Sequence, residues 1–324
     1  MGVKLSMEWS YLDLQTIILE NEMLRLVILP ELGAKLWKLI YKPENHDLLW
    51  NHPRIKPKKL PLHSVYDDHF YGGWDELYPN DIPETVNGEP LPDHGEIWTL
   101  PWEYRVEKES EEEIILYLWV ETPVTSSRVE KWISLKSNES QIHFHHKITN
   151  TGQKEQPYLW KLHAAMKVNE HTKIDMGAKK VYIEDFGPPR NGKTGVTYDW
   201  PFIVDEAGKE HDMRNALPST SGVNEFQYGL ELEEGWCSVT DTQKGLGMGL
   251  SFDRNVFPSC WLFATYGGWR NLQTVVLEPC TGYPVSVNDG IEKGTHRMLA
   301  PGEVIETDVT AIVCKGTVSP FGNK

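Results

Sequence analysis

Apolar and polar residues alternate with a period of two along most of this chain, and no long stretch keeps the 3.6-residue period of a helix. Strand-like runs fall at residues 16–20, 23–29, 35–41, 102–107, 114–120, 129–135 and 141–149. They continue at 158–168, 181–184, 236–240, 247–252, 260–265, 274–277 and 307–314. Turn signals separate them, among them Pro30 to Gly33, Lys136 to Ser140, Asn150-Thr151-Gly152, Asn288-Asp289-Gly290 and Pro301-Gly302. Many short strands joined by Gly/Pro turns predict an all-β sandwich or barrel rather than a βαβ fold.

Two stretches break the rhythm. Residues 50–98 are rich in Pro, His, Gly and Trp, and residues 185–229 in Pro, Gly and Asp. Long unpatterned segments in a compact domain are functional or disordered. The aromatic and His content favours ordered loops that wall a site. No composition shift marks a boundary, so a single domain over 1–324 is expected. The charged run from Glu107 to Glu113 is expected to be a solvated hairpin tip.

Composition narrows the function. The 324 residues include 40% hydrophobic and 24% charged positions, enough for a large core. The net charge of -15 repels phosphate backbones and anionic lipid, which argues against nucleic acid and membrane partners. The N-terminal segment has no apolar h-region, and the four cysteines (Cys237, Cys260, Cys280, Cys314) form no Cys-x-x-Cys pair. A cytoplasmic protein with free thiols is expected. Thirteen Trp and thirteen Tyr suit either cross-strand packing or stacking against the C–H face of a sugar.

His163 and Glu278 stand out because each lies alone in an apolar strand-like run. A buried titratable group needs partners or shifts its pKa toward neutrality. A rigid acid and a rigid base suit proton shuttling on a sugar or carbonyl. On these two residues alone, a pair of satisfied core polar groups is the better account. His143 and His145 share one strand face, but no acidic residue follows at a ligand spacing, so no metal site is expected. No P-loop, Gly-x-Gly-x-x-Gly or Gly-x-Ser-x-Gly motif is present, and no cofactor is called for. Asp75 and Glu76 follow Tyr71-Gly72-Gly73-Trp74, and His94 and Glu96 lie in Asp93-His94-Gly95-Glu96-Ile97-Trp98. Either segment reads as a hydrogen-bonded turn or as a ligand contact.

In order, these segments resemble the aldose 1-epimerase (galactose mutarotase-like) superfamily. Leu24 to Gly33 is similar to its opening strand and turn, and Asp93 to Trp98 to its His-Gly loop. Arg128 to Leu135 and Ile148 to Gly152 resemble its central strands and turn. Tyr158 to His163 resembles the strand of its general acid, and Leu277-Glu278-Pro279 that of its general base. The likeness spans the chain from about Asn21 onward and is poor over 185–229.

The resemblance implies a large twisted antiparallel β-sandwich, the galactose mutarotase-like supersandwich, whose concave face holds a sugar. It implies an enzyme that interconverts anomers by ring opening, with His163 as general acid, Glu278 as general base and His94 bonded to ring or hydroxyl oxygens. The galactose-specific members have a sugar-binding Arg where this chain reads His69 to Glu76, with no Arg. The expected partner is a monosaccharide or short oligosaccharide, and the chain is expected to be a monomer or homodimer. Asp75, Glu76 and Glu96 are candidates for ligand hydroxyls. Trp74, Trp98, Trp160 and Trp269 are candidate stacking platforms, each with an equal core reading. Alternatives are a sugar-binding protein without turnover, or a glycoside hydrolase or lyase pairing Glu278 with Asp75, Glu76 or Glu96. A sugar-phosphate variant would look to Arg214 and Arg270.

Overall fold

The computed structural model describes residues 2–316. Strands dominate, and Val287–Lys293 is the one α-helix among the described residues. The chain groups into two compact units. Of the described residues, the first unit joins 2–163 to Thr281–Ala311, and the second joins Ala164–Cys280 to 312–316. The divide falls inside the strand Lys161–Met166, directly after His163.

In the first unit, one sheet runs in the order Lys4–Ser6, Ile17–Glu20, Leu24–Leu29, Lys35–Tyr41, Trp74–Leu77, Lys161–Met166. A second runs Glu103–Glu109, Glu113–Glu121, Ser127–Lys136, Gln141–Asn150, Val304–Lys315. The strand Gln141–Asn150 shows why alternation predicted this layer. Ile142, Phe144, His146 and Ile148 are buried, while His143 and His145 sit on the outer face. Burying each Ile or Phe stabilises the fold by roughly 1.5–3 kcal/mol, and a one-residue slip would turn that whole face to water. The two layers meet face to face, with Trp74 and Phe144 ring centroids 4.9 Å apart.

The second unit repeats the plan on a smaller scale. One sheet runs Gln273–Cys280, Ser259–Tyr266, Val223–Leu230, Lys180–Ile183, Thr197–Asp199. The other runs Leu246–Phe252, Trp236–Asp241, Thr172–Met176.

The two long stretches are built of short elements. Residues 50–98 hold the 3-10 turn Tyr66–His69, the strand Trp74–Leu77 and the hairpin Glu84–Val86/Glu89–Leu91. Residues 185–229 hold Thr197–Asp199, the hairpin Phe202–Val204/Glu210–Asp212 and most of Val223–Leu230. Strands of three or four residues are too short to display a period, which is why the pattern passed over them; the eight-residue Val223–Leu230 escaped it as well.

One expectation fails outright. Asn288-Asp289-Gly290 is the middle of the helix Val287–Lys293, not a turn. Ser286 caps it by accepting from the Asp289 N–H, and Gly294 closes it in the left-handed conformation. Glu84 accepts the Val287 N–H at 2.6 Å. Gly290 stands in the helix because a Cβ there would lie 2.2 Å from the His296 ring.

All four cysteines are free. No helix among the described residues is long and apolar enough to cross a membrane.

Candidate active site

The strand Lys161–Met166 is buried along its whole length. Its alternation sends Lys161 and His163 to one face, and both enter a polar cluster in the first unit. Lys161 Nζ donates to Asp81 at 2.7 Å. His163, 6% exposed, has its Nδ1 3.1 Å from the hydroxyl of Tyr66. That hydroxyl donates to the Asp75 carboxylate at 2.8 Å, and Asp75 also accepts from Lys35 Nζ at 2.5 Å.

A second arm runs through the His-Gly loop. His94 takes the left-handed conformation (φ 59°), followed by Gly95 at φ 79°. A Cβ on Gly95 would lie 2.2 Å from the Tyr78 carbonyl oxygen, so this crossing requires glycine. The turn lays His94 flat on Tyr66, with centroids 4.1 Å apart and planes 7° off parallel. His94 Nδ1 is 2.8 Å from Asp93, and its Nε2 is 3.3 Å from Asp81. Trp98 presents its edge to Tyr66 at 4.8 Å and donates from Nε1 to the Asp93 carbonyl.

The two imidazoles are driven apart electrostatically. Burial lowers the pKa of His163 well below its ordinary value, and the positive charges of Lys161, His94 and Lys35 push the same way. His94 is also opposed by burial, but Asp81 and Asp93 outweigh it and raise its pKa. The two shifts have opposite sign, so His163 gives up its proton more readily than His94 and is the neutral imidazole of the two. A split of this kind between neighbouring titratable groups is typical of sites that move protons.

The other predicted residues fall into distinct places. Asp75 is 2% exposed and held by Lys35 and Tyr66. Glu76, 3% exposed, accepts from Lys131 Nζ at 2.7 Å and lies 3.3 Å from His146 Nε2. Glu96 is fully buried and accepts from the Val124 N–H, the Thr125 N–H and the Thr125 hydroxyl. These three carboxylates each meet internal partners: Lys35 and Tyr66 for Asp75, Lys131 and His146 for Glu76, and the Val124–Thr125 turn for Glu96. His94 likewise has both ring nitrogens facing carboxylates. Trp98 and Trp160 are 1% and 0% exposed, and Trp74 packs on Phe144.

Glu278 belongs to the second unit, 1% exposed on Gln273–Cys280 and paired in register with Trp261. Trp269, also in that unit, meets Phe263 edge-on and lies under Arg270. Arg214 is bound by Asp212 through two N–H bonds. Among the described residues, no group of three or more His, Cys, Asp or Glu side chains is arranged to hold a metal ion.

Sequence reasoning missed Tyr66, Lys35, Lys131 and Lys161. The three lysines had a signal, since each interrupts an inward-facing apolar series. Tyr66 had none, because a loop tyrosine has no period to violate.

No protein-family model matches the chain, and no curated protein matches it. Solved structures do. A candidate aldose 1-epimerase from Klebsiella pneumoniae shares 15% identity, covering 97% of this chain and 84% of that one, with a TM-score of 0.75. A galactose mutarotase-like protein from Clostridium acetobutylicum shares 12%, covering 97% and 99%, with a TM-score of 0.69. A TPR-domain containing protein from Parabacteroides distasonis shares 16%, covering 96% of this chain and 49% of that one, also at 0.69. At these identities the likeness speaks to architecture: the chain has the galactose mutarotase-like fold, an all-β supersandwich of large antiparallel sheets.

Proposed function

We propose that this protein is an aldose 1-epimerase-like isomerase that interconverts the anomers of a sugar, with His163 and Glu278 as its proton-transfer pair. The observation that supports it most is His163 itself: a neutral, buried imidazole held on an interior strand of a galactose mutarotase-like fold. Ring opening needs a proton taken from the anomeric hydroxyl and another given to the ring oxygen. The bond between the anomeric carbon and the ring oxygen then breaks, the aldehyde turns, and the ring recloses on its other face. In this reading His163 protonates the ring oxygen, Glu278 accepts the hydroxyl proton, and the roles reverse on closure. The lowered pKa of His163 makes its protonated form a strong donor that is sparsely populated at neutral pH.

The substrate is proposed to be uncharged. Lys35, Lys161 and Arg214 each already meet an aspartate, which leaves them poorly suited to a phosphate. The internal partners of Asp75, Glu76 and Glu96 weigh against a hydrolase that needs one of them as its second carboxylate.

The test is anomer exchange, followed by NMR or polarimetry on a panel of free aldoses. His163→Ala and Glu278→Gln should each slow the exchange by ~10²–10⁴-fold while keeping wild-type circular dichroism. Undiminished exchange per folded molecule in both variants would return the two residues to a structural role.

A further inference from the structure

Behind His163 stands a chain of buried groups with no assigned part in proton transfer. Tyr66 is 2% exposed, and its hydroxyl lies 2.8 Å from the Asp75 carboxylate and 3.1 Å from His163 Nδ1. A phenol has a single proton to donate. Asp75 also receives the Lys35 ammonium, and a carboxylate so engaged only accepts. The phenolic proton therefore goes to Asp75, and the phenol oxygen is left to accept from His163. Nδ1 must then bear a hydrogen, and in the neutral ring Nε2 holds the lone pair.

We propose that Tyr66, backed by the Asp75–Lys35 pair, is a positioning residue that locks His163 in its Nδ1–H tautomer and so makes Nε2 the atom that exchanges a proton with substrate. The substrate half of this statement rests on the acid–base reading above; the tautomer half is a property of the free protein. Packing enforces the arrangement. Tyr66 is stacked on His94, edged by Trp98, and set at 84° to the His163 ring, while Phe70 meets His163 edge-on at 5.9 Å. These contacts hold the phenol ring in place beside His163. Burial and the surrounding positive charge keep the ring neutral, the only state in which a tautomer exists to be chosen.

Tyr66→Phe keeps the aromatic stack and removes the acceptor. The experiment uses the full chain labelled with 15N-histidine at about pH 8, where an ordinary histidine is neutral. The His163 signals are assigned by their loss in His163→Gln. The expected wild-type spectrum has a pyrrole-type shift at Nδ1 and a pyridine-type shift at Nε2, and Tyr66→Phe moves both toward the opposite tautomer. A pyrrole-type Nε2 in the wild type, or an unchanged tautomer in Tyr66→Phe, overturns the proposal. If Tyr66→Phe does not fold, the wild-type spectrum decides alone. In the exchange assay, Tyr66→Phe should lower kcat by about 10–100-fold, by analogy with the loss seen when the partner that orients a metal-bound histidine is removed, with KM little changed. Absence of any anomer exchange in the wild type would sink the proposed function, and the nitrogen shifts would still judge the tautomer lock.

Discussion

Three buried lysines each meet a carboxylate in the first unit: Lys35 with Asp75, Lys131 with Glu76, and Lys161 with Asp81. Each pair is almost wholly out of water, so the desolvation cost of both ions offsets much of their attraction. Such a pair is weak as net stabilisation but costly to break. Lys35→Met should lower the unfolding free energy by about 3–5 kcal/mol, because Asp75 is left buried and uncompensated. Lys35→Met combined with Asp75→Leu should recover most of that loss in urea titrations. A single variant within about 1 kcal/mol of wild type would mean that water reaches Asp75 freely. These partners were only half legible in the sequence. A lysine at an inward position announces a buried charge, but its acid lies dozens of residues away, 40 for Lys35 and 80 for Lys161. His163 was legible because an imidazole in an apolar run is conspicuous. Its tyrosine was not, because only the folded loop brings the two together.

At the scale of elements, alternation found most of the long strands, since a half-buried strand must repeat every second residue to keep one face dry, but it passed over Val223–Leu230. It misread the short helix because Asn-Asp-Gly has turn chemistry, and a helix of seven residues shows barely two turns of period. Two changes test that element. Ser286→Ala removes the cap and should cost about 0.5–2 kcal/mol. Gly290→Ala should destabilise despite alanine's better helix propensity of about 1 kcal/mol. The added methyl meets the His296 ring, which is also crowded by Gly282, and overpacking of this kind costs ~1–3 kcal/mol. Thermal melts measure both, and a raised Tm for Gly290→Ala would show that His296 has somewhere to go.

For the whole molecule, the buried titratable groups set a direction for stability against pH. Burial lowers the pKa of His163 below the ordinary value and that of His296 to about 4. Glu76 is opposed by burial, but Lys131 and His146 outweigh it and hold its pKa far below the usual carboxylate range. In each case the unfolded chain binds the proton more readily than the folded one, so stability rises with pH across the gap. The two histidines contribute stability that is present above about pH 6.5 and is lost as pH falls below it. Glu76 adds a further loss below about pH 4.3. His94 has the opposite sign, since its raised pKa gives stability that fades as pH climbs above the ordinary histidine range. The urea midpoint should therefore fall steadily from pH 7 to pH 4. A flat or rising midpoint would mean that these side chains are better solvated than their burial implies.

The tight passage of the backbone at Gly95 bears on any effort to retarget this protein. Its missing methyl is what lets the neighbouring carbonyl of Tyr78 come so near, and that approach in turn delivers His94 to the face of Tyr66. A mutagenesis library built around this loop should therefore leave this glycine untouched. Diversity there would register as poorly folded clones, a loss of architecture easily mistaken for the loss of a contact.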